Sequence, residues 1–140
     1  MKRKGPRPLR PESVVQNAIE AELGAEPDLL LLRNSTGLAE HFTKETGKAW
    51  RVPYGLGKGS PDLVGLLRVN VSVFMATGPH LHTVSAAVWI AWEVKAPGGE
   101  SEPHQLECHR VWSSFGAYVA TVDSVEAARA HLATVRRIFQ

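Results

Sequence analysis

The chain has 140 residues, of which 44% are hydrophobic and 21% are charged. This length and composition predict one domain with an ordinary apolar core, and they exclude a wholly disordered protein. The chain contains a single cysteine, Cys108, which excludes an internal disulfide and a cysteine-rich zinc site.

The positive charge is concentrated at the N-terminus. Residues 1–11 hold five of the sixteen basic residues, so residues 12–140 contain eleven basic and fourteen acidic residues. We expect residues 1–11 to form a flexible basic arm, which fits either contact with nucleic acid or a solvated terminus. No signal-peptide pattern follows, and the longest apolar run, residues 86–92, is too short to cross a membrane. We therefore expect a soluble, cytoplasmic protein with no membrane partner.

The first half of the chain predicts one helix and two strands. A four-residue apolar spacing favours a helix from about Glu12 to Leu23. A leucine run predicts a short buried strand from Leu29 to Arg33, and the polar segment 34–49 predicts a loop. Trp50 to Tyr54 fits a strand, and the glycine-rich segment 55–61 fits a second loop.

The second half predicts a hairpin followed by a helix, a strand and a helix. Residues 62–95 fit strands that pair as a hairpin or a meander, with a turn at residues 77–79. The next helix begins at Ser101 or Glu102 and ends at Gly116, and residues 118–122 form a strand.

This order of elements predicts a mixed sheet flanked by helices, an α/β or α+β architecture. We expect Asp123 and Glu126 to form a capping box that opens the last helix. The four tryptophans are expected in the core, with stacking against nucleic acid as the alternative for the first of them: Trp50, Trp89, Trp92 and Trp112.

Three charged residues stand out against this background. Glu93 and Lys95 end an apolar strand and share one of its faces, because side chains alternate along a strand. Charges at the end of an apolar strand are costly unless they serve a purpose. Asp62 opens a strand of the same predicted hairpin, so pairing of the two strands would bring the carboxylates together on one hard cation. The backbone carbonyl of Val94 is a candidate third ligand.

A Mg²⁺ ion fits such a site, since it prefers oxygen ligands and keeps several waters. The ion would lower the pKa of a bound water and neutralise charge on a phosphate. Lys95 would then hold the attacking water or stabilise the charge that develops on phosphorus.

These residues resemble a known nuclease signature. Ser60-Pro61-Asp62 followed by Glu93-Val94-Lys95 resembles the PD-(D/E)XK motif. The flanking sequences GLGKGSPDL (55–63) and EVKAPGG (93–99), with Gln105 after them, are similar to the VRR-NUC branch of that superfamily. The segments RNSTG (33–37) and GAYV (116–119) also fit, and the resemblance covers roughly residues 12–135.

The resemblance implies a restriction-endonuclease-like fold in a single VRR-NUC-like domain, residues 12–140. It implies an Mg²⁺- or Mn²⁺-dependent nuclease that cuts branched DNA such as Holliday junctions. Small stand-alone members occur in phages and bacteria and can act as homodimers. The family also implies an acidic residue on the first helix, for which Glu12 is the best match and Glu20 the second. Gln105 matches a helix glutamine beside the active site.

Contact with DNA phosphates is expected from basic residues around the loops. Lys58 lies in the glycine loop, which is not a Walker A motif because Gly59 follows the lysine. The weaker candidates are Arg33, Lys44, Lys48 and Arg51.

Structural interpretations remain open for each candidate. Glu93 and Lys95 fit a cross-strand charge pair, Glu12 fits a helix N-terminal acid, and Gln105 fits a solvated helix surface. The alternative function is a catalytically inactive DNA-binding module or a partner-docking protein that uses residues 68–88.

Overall fold

The structure is a computed structural model that describes residues 11–74, 78 and 80–140. Within these ranges the chain forms three helices and six strands. In order they are α1 (Pro11–Leu23), β1 (Leu29–Arg33), β2 (Gly37–Phe42), β3 (Ala49–Tyr54), β4 (Leu63–Phe74), β5 (Leu81–Val94), α2 (Pro103–Ser114), β6 (Tyr118–Val122) and α3 (Val125–Ile138).

Four strands form a mixed sheet in the order β1-β4-β5-β6. Strand β4 is antiparallel to both β1 and β5, whereas β6 runs parallel to β5. Helix α2 supplies the crossover that two successive parallel strands require. The predicted mixed α+β architecture is therefore confirmed.

The core lies on the face of the sheet that α1 and α3 cover. Its fully buried members come from α1, α3 and the two central strands β4 and β5, and each contributes roughly 1.5–3 kcal/mol of burial energy to folding. The largest are Ile19, Leu23, Leu63, Leu67, Ile90, Trp92, Leu132 and Val135.

Helix α3 is fastened at both ends. Ser124, and not Asp123 as predicted, is its N-cap, and its side chain accepts a hydrogen bond from the Ala127 backbone at 3.1 Å. Near its C-terminus, the Arg136 guanidinium contacts Asp28 at 2.9 Å and Glu26 at 2.9 Å. This ion pair joins α3 to the turn between α1 and β1, and it lowers the pKa of Asp28.

The opposite face of the sheet is covered only in part. All twelve residues of α2 keep some exposure, and Trp112 meets Trp89 edge-on with ring centroids 5.9 Å apart. Trp89 and Trp50 stay substantially exposed, and Trp92 is the fully buried tryptophan. The expectation that all four tryptophans lie in the core was wrong, because α2 and the hairpin shield little of the surface around them.

Segment 34–49 is not a loop as predicted, because it contains strand β2. Strands β2 and β3 pair as an antiparallel hairpin outside the main sheet. Nearly every residue of both strands is exposed. A strand that buries neither face shows no alternation of apolar and polar residues, and so the sequence carried no periodic signal for it.

Two other boundaries differ from expectation. Pro11 begins α1 and so does not belong to the predicted basic arm, whose remaining residues lie outside the described ranges. Strand β1 is an edge strand, so Leu30 and Leu32 are exposed although the whole strand was predicted to be buried. The turn predicted around Gly78 lies mostly outside the described residues.

Strands β4 and β5 extend beyond their neighbours as a two-stranded ribbon. The pairing of β1 with β4 ends at Leu67, and that of β6 with β5 begins at Ile90. The ribbon pairs onward to Phe74 and Leu81, both of which are exposed. In the described part of the chain, no helix is sufficiently long and apolar to span a bilayer.

We expect His131 to make the fold sensitive to acid. Its Nδ1 accepts a hydrogen bond from the buried Trp92 indole at 2.9 Å, and burial lowers its pKa. Below about pH 6.5 the unfolded chain binds a proton that the folded state resists, so stability falls as pH falls. Urea unfolding from pH 7.5 to 5 should show a smaller acid loss for His131→Gln, which keeps an acceptor but does not titrate.

The exposed His82 supplies the matched control. His82→Gln should leave the parent's pH dependence unchanged. Identical pH profiles for the parent and His131→Gln would contradict the role given to His131.

Candidate functional site

The pairing of β4 with β5 brings the predicted carboxylates together. Leu63 at the start of β4 lies opposite Trp92 near the end of β5, so Asp62 and Glu93 are neighbours at one end of the two central strands. The Val94 backbone N–H donates to Asp62 Oδ2 at 2.8 Å. This contact fixes the Asp62 carboxylate against the strand that carries Glu93.

Glu93 is a buried carboxylate with one oxygen satisfied and one not. The residue is only 2% exposed, and Oε1 accepts from Lys95 Nζ at 3.0 Å and from the Gln105 side-chain amide. Oε2 is buried and has no hydrogen-bond partner among the described residues. A buried carboxylate oxygen without a donor requires a proton or a cation, because an unpaired charge is costly in a protein interior.

Gln105 connects the charged strand end to helix α2. Its Oε1 accepts from Lys95 Nζ at 2.9 Å and from the Glu102 backbone N–H at 2.8 Å. Its amide nitrogen donates to Glu93. Gln105 is also part of the capping box that opens α2, in which Glu102 is the N-cap. The residue therefore belongs to this cluster and is not a solvated surface glutamine.

Both carboxyl groups have raised pKa values. Burial raises the pKa of Asp62, against the opposing effects of the Val94 hydrogen bond and Lys95. Burial and then the charge of Asp62 raise the pKa of Glu93 to about 7. Glu12 adds to both shifts, so its carboxylate lies near enough to act on the pair. Two buried carboxylates that repel each other favour a shared proton or a divalent cation.

The two candidates for the first-helix acid differ in their surroundings. Glu20 forms an ion pair with Arg33, whose guanidinium also contacts Asn17 at 2.6 Å. Glu12 is exposed in the first turn of α1 and acts on the site electrostatically. Its electrostatic effect on both carboxyl groups favours Glu12 over Glu20, which is paired with Arg33, as the first-helix acid.

The residues present fit a hard cation held by two carboxylates. Within residues 11–74, 78 and 80–140, no three His, Cys, Asp or Glu side chains are grouped to hold a metal. Main-chain oxygen and water would have to complete the ligand set around Asp62 and Glu93, as is usual for Mg²⁺. The unpartnered Oε2 of Glu93 is the structural observation that fits such an ion.

A cleft of about 450 Å³ gives access to the two carboxylates. The glycine loop forms one wall and contributes Lys58, the hairpin contributes Tyr54, and α2 contributes Gln105. Gly59 has a φ of +84°, and a Cβ there would lie 3.0 Å from the His104 backbone oxygen. Glycine at this position lets the loop pass close to α2 and keeps Lys58 at the cleft.

Asn34 connects the segments that form the cleft, although no separate role was predicted for it. Its backbone N–H donates to the Asp62 carbonyl at 2.8 Å. Its side-chain amide donates to Ser60 Oγ and to the Pro61 carbonyl, each at 2.8 Å, and its Oδ1 accepts from Leu56 N–H at 3.3 Å. One asparagine thus ties both ends of the hairpin segment to the residue that precedes β4. Its position directly after β1, in RNSTG, was the only available signal.

The predicted phosphate contacts are not equivalent. Lys58 lines the cleft, whereas Arg33 is bound to Glu20 and Arg51 pairs with Glu40 at 3.0 Å. Lys44 and Lys48 lie in the exposed turn that joins β2 to β3. Among these candidates, Lys58 alone lines the cleft together with the two carboxylates.

No family model matches the chain, and neither does any curated protein or solved structure. The resemblance to VRR-NUC nucleases therefore rests on the motifs alone and stays a prediction.

We expect Glu93 to destabilise the metal-free fold at alkaline pH. The folded-state pKa of about 7 exceeds the ordinary value of 4.5, so stability is lost as pH rises through this interval. Glu93→Gln removes the titration, and it should raise the free energy of unfolding at pH 8 in EDTA by roughly 1–3 kcal/mol. Urea unfolding at pH 8 and at pH 4.5 measures this, and the gain should disappear at pH 4.5.

The exposed Glu45, in the turn of the hairpin, supplies the control. Glu45→Gln should change stability by less than about 0.5 kcal/mol at either pH. A Glu93→Gln variant that is less stable than the parent at pH 8 would show that the charged carboxylate is satisfied without a cation.

Proposed function

We propose that this protein is an Mg²⁺- or Mn²⁺-dependent endonuclease that hydrolyses DNA phosphodiester bonds in a restriction-endonuclease-like, VRR-NUC-type domain. One observation carries the proposal. Two carboxylates from neighbouring strands adjoin at the base of a cleft, and the more buried one, Glu93, keeps an oxygen without a protein donor beside Lys95. This combination suits a cation and a phosphate better than it suits a structural ion pair.

Each side chain of the site has a separate role in the proposed phosphodiester hydrolysis. Asp62 and Glu93 would hold the divalent ion, which supplies an activated water and offsets charge on the phosphate. The Lys95 ammonium lies 3.0 Å from Glu93 Oε1, where it can stabilise the charge that develops on phosphorus. Gln105 fixes the position of that ammonium through its hydrogen bond of 2.9 Å. Glu12 adds negative charge that favours cation binding.

The choice of DNA as substrate draws on charge and on the motif resemblance. Lys58 lines the cleft, where it can contact a phosphate of the DNA backbone. The resemblance extends the proposal to branched DNA such as Holliday junctions and to action as a homodimer. It also suggests the cytoplasm of a bacterial or phage-infected cell as the place of action.

A partner-docking function is the second candidate, and the β4–β5 ribbon favours it. The sequence from Val69 to Trp92 contains no Asp, Glu, Lys or Arg. At the end of the described ribbon, Phe74 is 78% exposed. An uncharged ribbon that projects from the sheet is suited to pairing with another protein chain.

We expect Asp62→Asn and Lys95→Ala each to lower DNA cleavage by about 100-fold or more, because each removes a charge at the reacting centre. The measurement is cleavage of linear, nicked and four-way DNA with Mg²⁺ or Mn²⁺, and with EDTA as the blank. Arg110→Ala on the exposed side of α2 is the control and should retain full activity.

Thermal unfolding supplies an independent readout of the metal site. Mn²⁺ at pH 8 should raise the melting temperature of the parent and should leave Glu93→Gln unchanged. If the parent cuts none of the three DNAs and gains no stability from either ion, the nuclease proposal fails. DNA binding that is indifferent to metal and to Asp62→Asn would instead indicate an inactive binding module.

A further inference from the structure

One face of the β2–β3 hairpin carries a row of aromatic and apolar side chains. The register pairs His41 with Trp50 and Gly37 with Tyr54. Because side chains alternate along a strand, Trp50, Val52 and Tyr54 point to the same face. Trp50 is 48% exposed and Tyr54 is 49% exposed, so both rings remain open to a ligand.

The two rings are held in place by their cross-strand partners. His41 stacks on Trp50 with ring centroids 5.6 Å apart and planes inclined by 19°. Tyr54 lies over Gly37, where an added Cβ would come within 2.6 Å of the phenol oxygen. The rings are therefore oriented before any ligand arrives, which reduces the entropy lost on binding.

The charge of this part of the chain favours a polyanion. Residues 37–60 contain four basic and two acidic residues, a net charge of +2. The rest of residues 11–140 contains seven basic and twelve acidic residues, a net charge of −5. Positive charge in the segment that carries the open aromatic rings is the combination that single-stranded nucleic acid binders use.

The aromatic row leads into the candidate site. Tyr54 lines the same cleft as Asp62, Glu93 and Lys58. Trp50 lies four residues farther out on β3, about 13 Å away along an extended strand. A strand whose bases stack on both rings would reach the cleft that Asp62 and Glu93 line.

We propose that this hairpin face is a stacking platform for unpaired bases, and that it feeds a single-stranded DNA segment into the cleft. The inference rests on the proposed nuclease function and narrows its substrate from branched DNA in general to branched DNA with unpaired nucleotides next to the scissile phosphate. Aromatic rings accept any base because every base has a flat face, so the platform selects for unpaired structure and not for sequence.

Binding is tested on the Asp62→Asn background, where cleavage does not interfere, and in EDTA. The probe is a fluorescein-labelled 12-nucleotide oligothymidine, compared with a labelled duplex of mixed sequence and the same length. Trp50→Ala and Tyr54→Ala should each weaken the affinity for the oligothymidine by about 10-fold, as loss of one stacked base predicts. Trp50→Phe keeps a ring and should retain most of the affinity.

Phe42 offers a matched control on the same hairpin. It is 63% exposed, but the register places it on the opposite face from Trp50. Phe42→Ala should leave the affinity for the oligothymidine unchanged. Duplex binding should respond weakly to Trp50→Ala, because paired bases offer no open faces along the strand.

The inference is overturned if Trp50→Ala and Tyr54→Ala bind the oligothymidine as the parent does, or if Phe42→Ala weakens binding equally. Either result would indicate that this face of the hairpin binds a protein partner and not single-stranded DNA. This failure is distinct from failure of the nuclease proposal. If the protein cleaves DNA with metal but the ring substitutions do not change oligothymidine binding, only the stacking platform is disproved. If binding depends on the rings but no DNA is cleaved, only the nuclease function is disproved.

Discussion

The antiparallel register of β4 and β5 is the constraint on which the whole candidate site depends. It sets Leu63 opposite Trp92, which makes Asp62 and Glu93 neighbours and leaves Trp92 in the core. A slip of one residue would exchange the faces of the strand, so that Glu93 would enter the core and Trp92 would leave it. Burial of Trp92 therefore stabilises the register that creates the site, and the fold and the site share one determinant.

The charged carboxylate of Glu93 lowers the stability of the metal-free protein. Burial and the nearby charge of Asp62 raise the pKa of Glu93 to about 7. Both effects oppose folding when this carboxylate is charged. Lys95 and Gln105 compensate for one carboxylate oxygen and leave the other unpartnered among the described residues. Functional sites often retain such local cost, whereas a purely structural ion pair would place donors on both oxygens.

The sequence predicted the central elements of the fold and the carboxylate pair, because these depend on burial and on strand order. Strong apolar periodicity marks β4, β5 and α3, and it also places Glu93 and Lys95 on one face. It could not reveal strand β2, which buries neither face, or the exposure of Trp50, which follows from that hairpin standing apart from the sheet. The role of Asn34 depends on contacts across 22 to 27 positions of sequence, which no local pattern encodes.

The Asn34 contacts also determine which part of the sequence can vary without disturbing the main sheet. Because both ends of the hairpin segment meet at one side chain, the segment between them is an exchangeable module on a fixed frame. The hairpin forms its own separate sheet, so neither β2 nor β3 takes part in the pairing of β4 with β5. The surface that we propose to contact DNA can therefore vary independently of Asp62, Glu93 and Lys95. Loops on a rigid scaffold can in this way acquire new binding specificities while the scaffold keeps its stability.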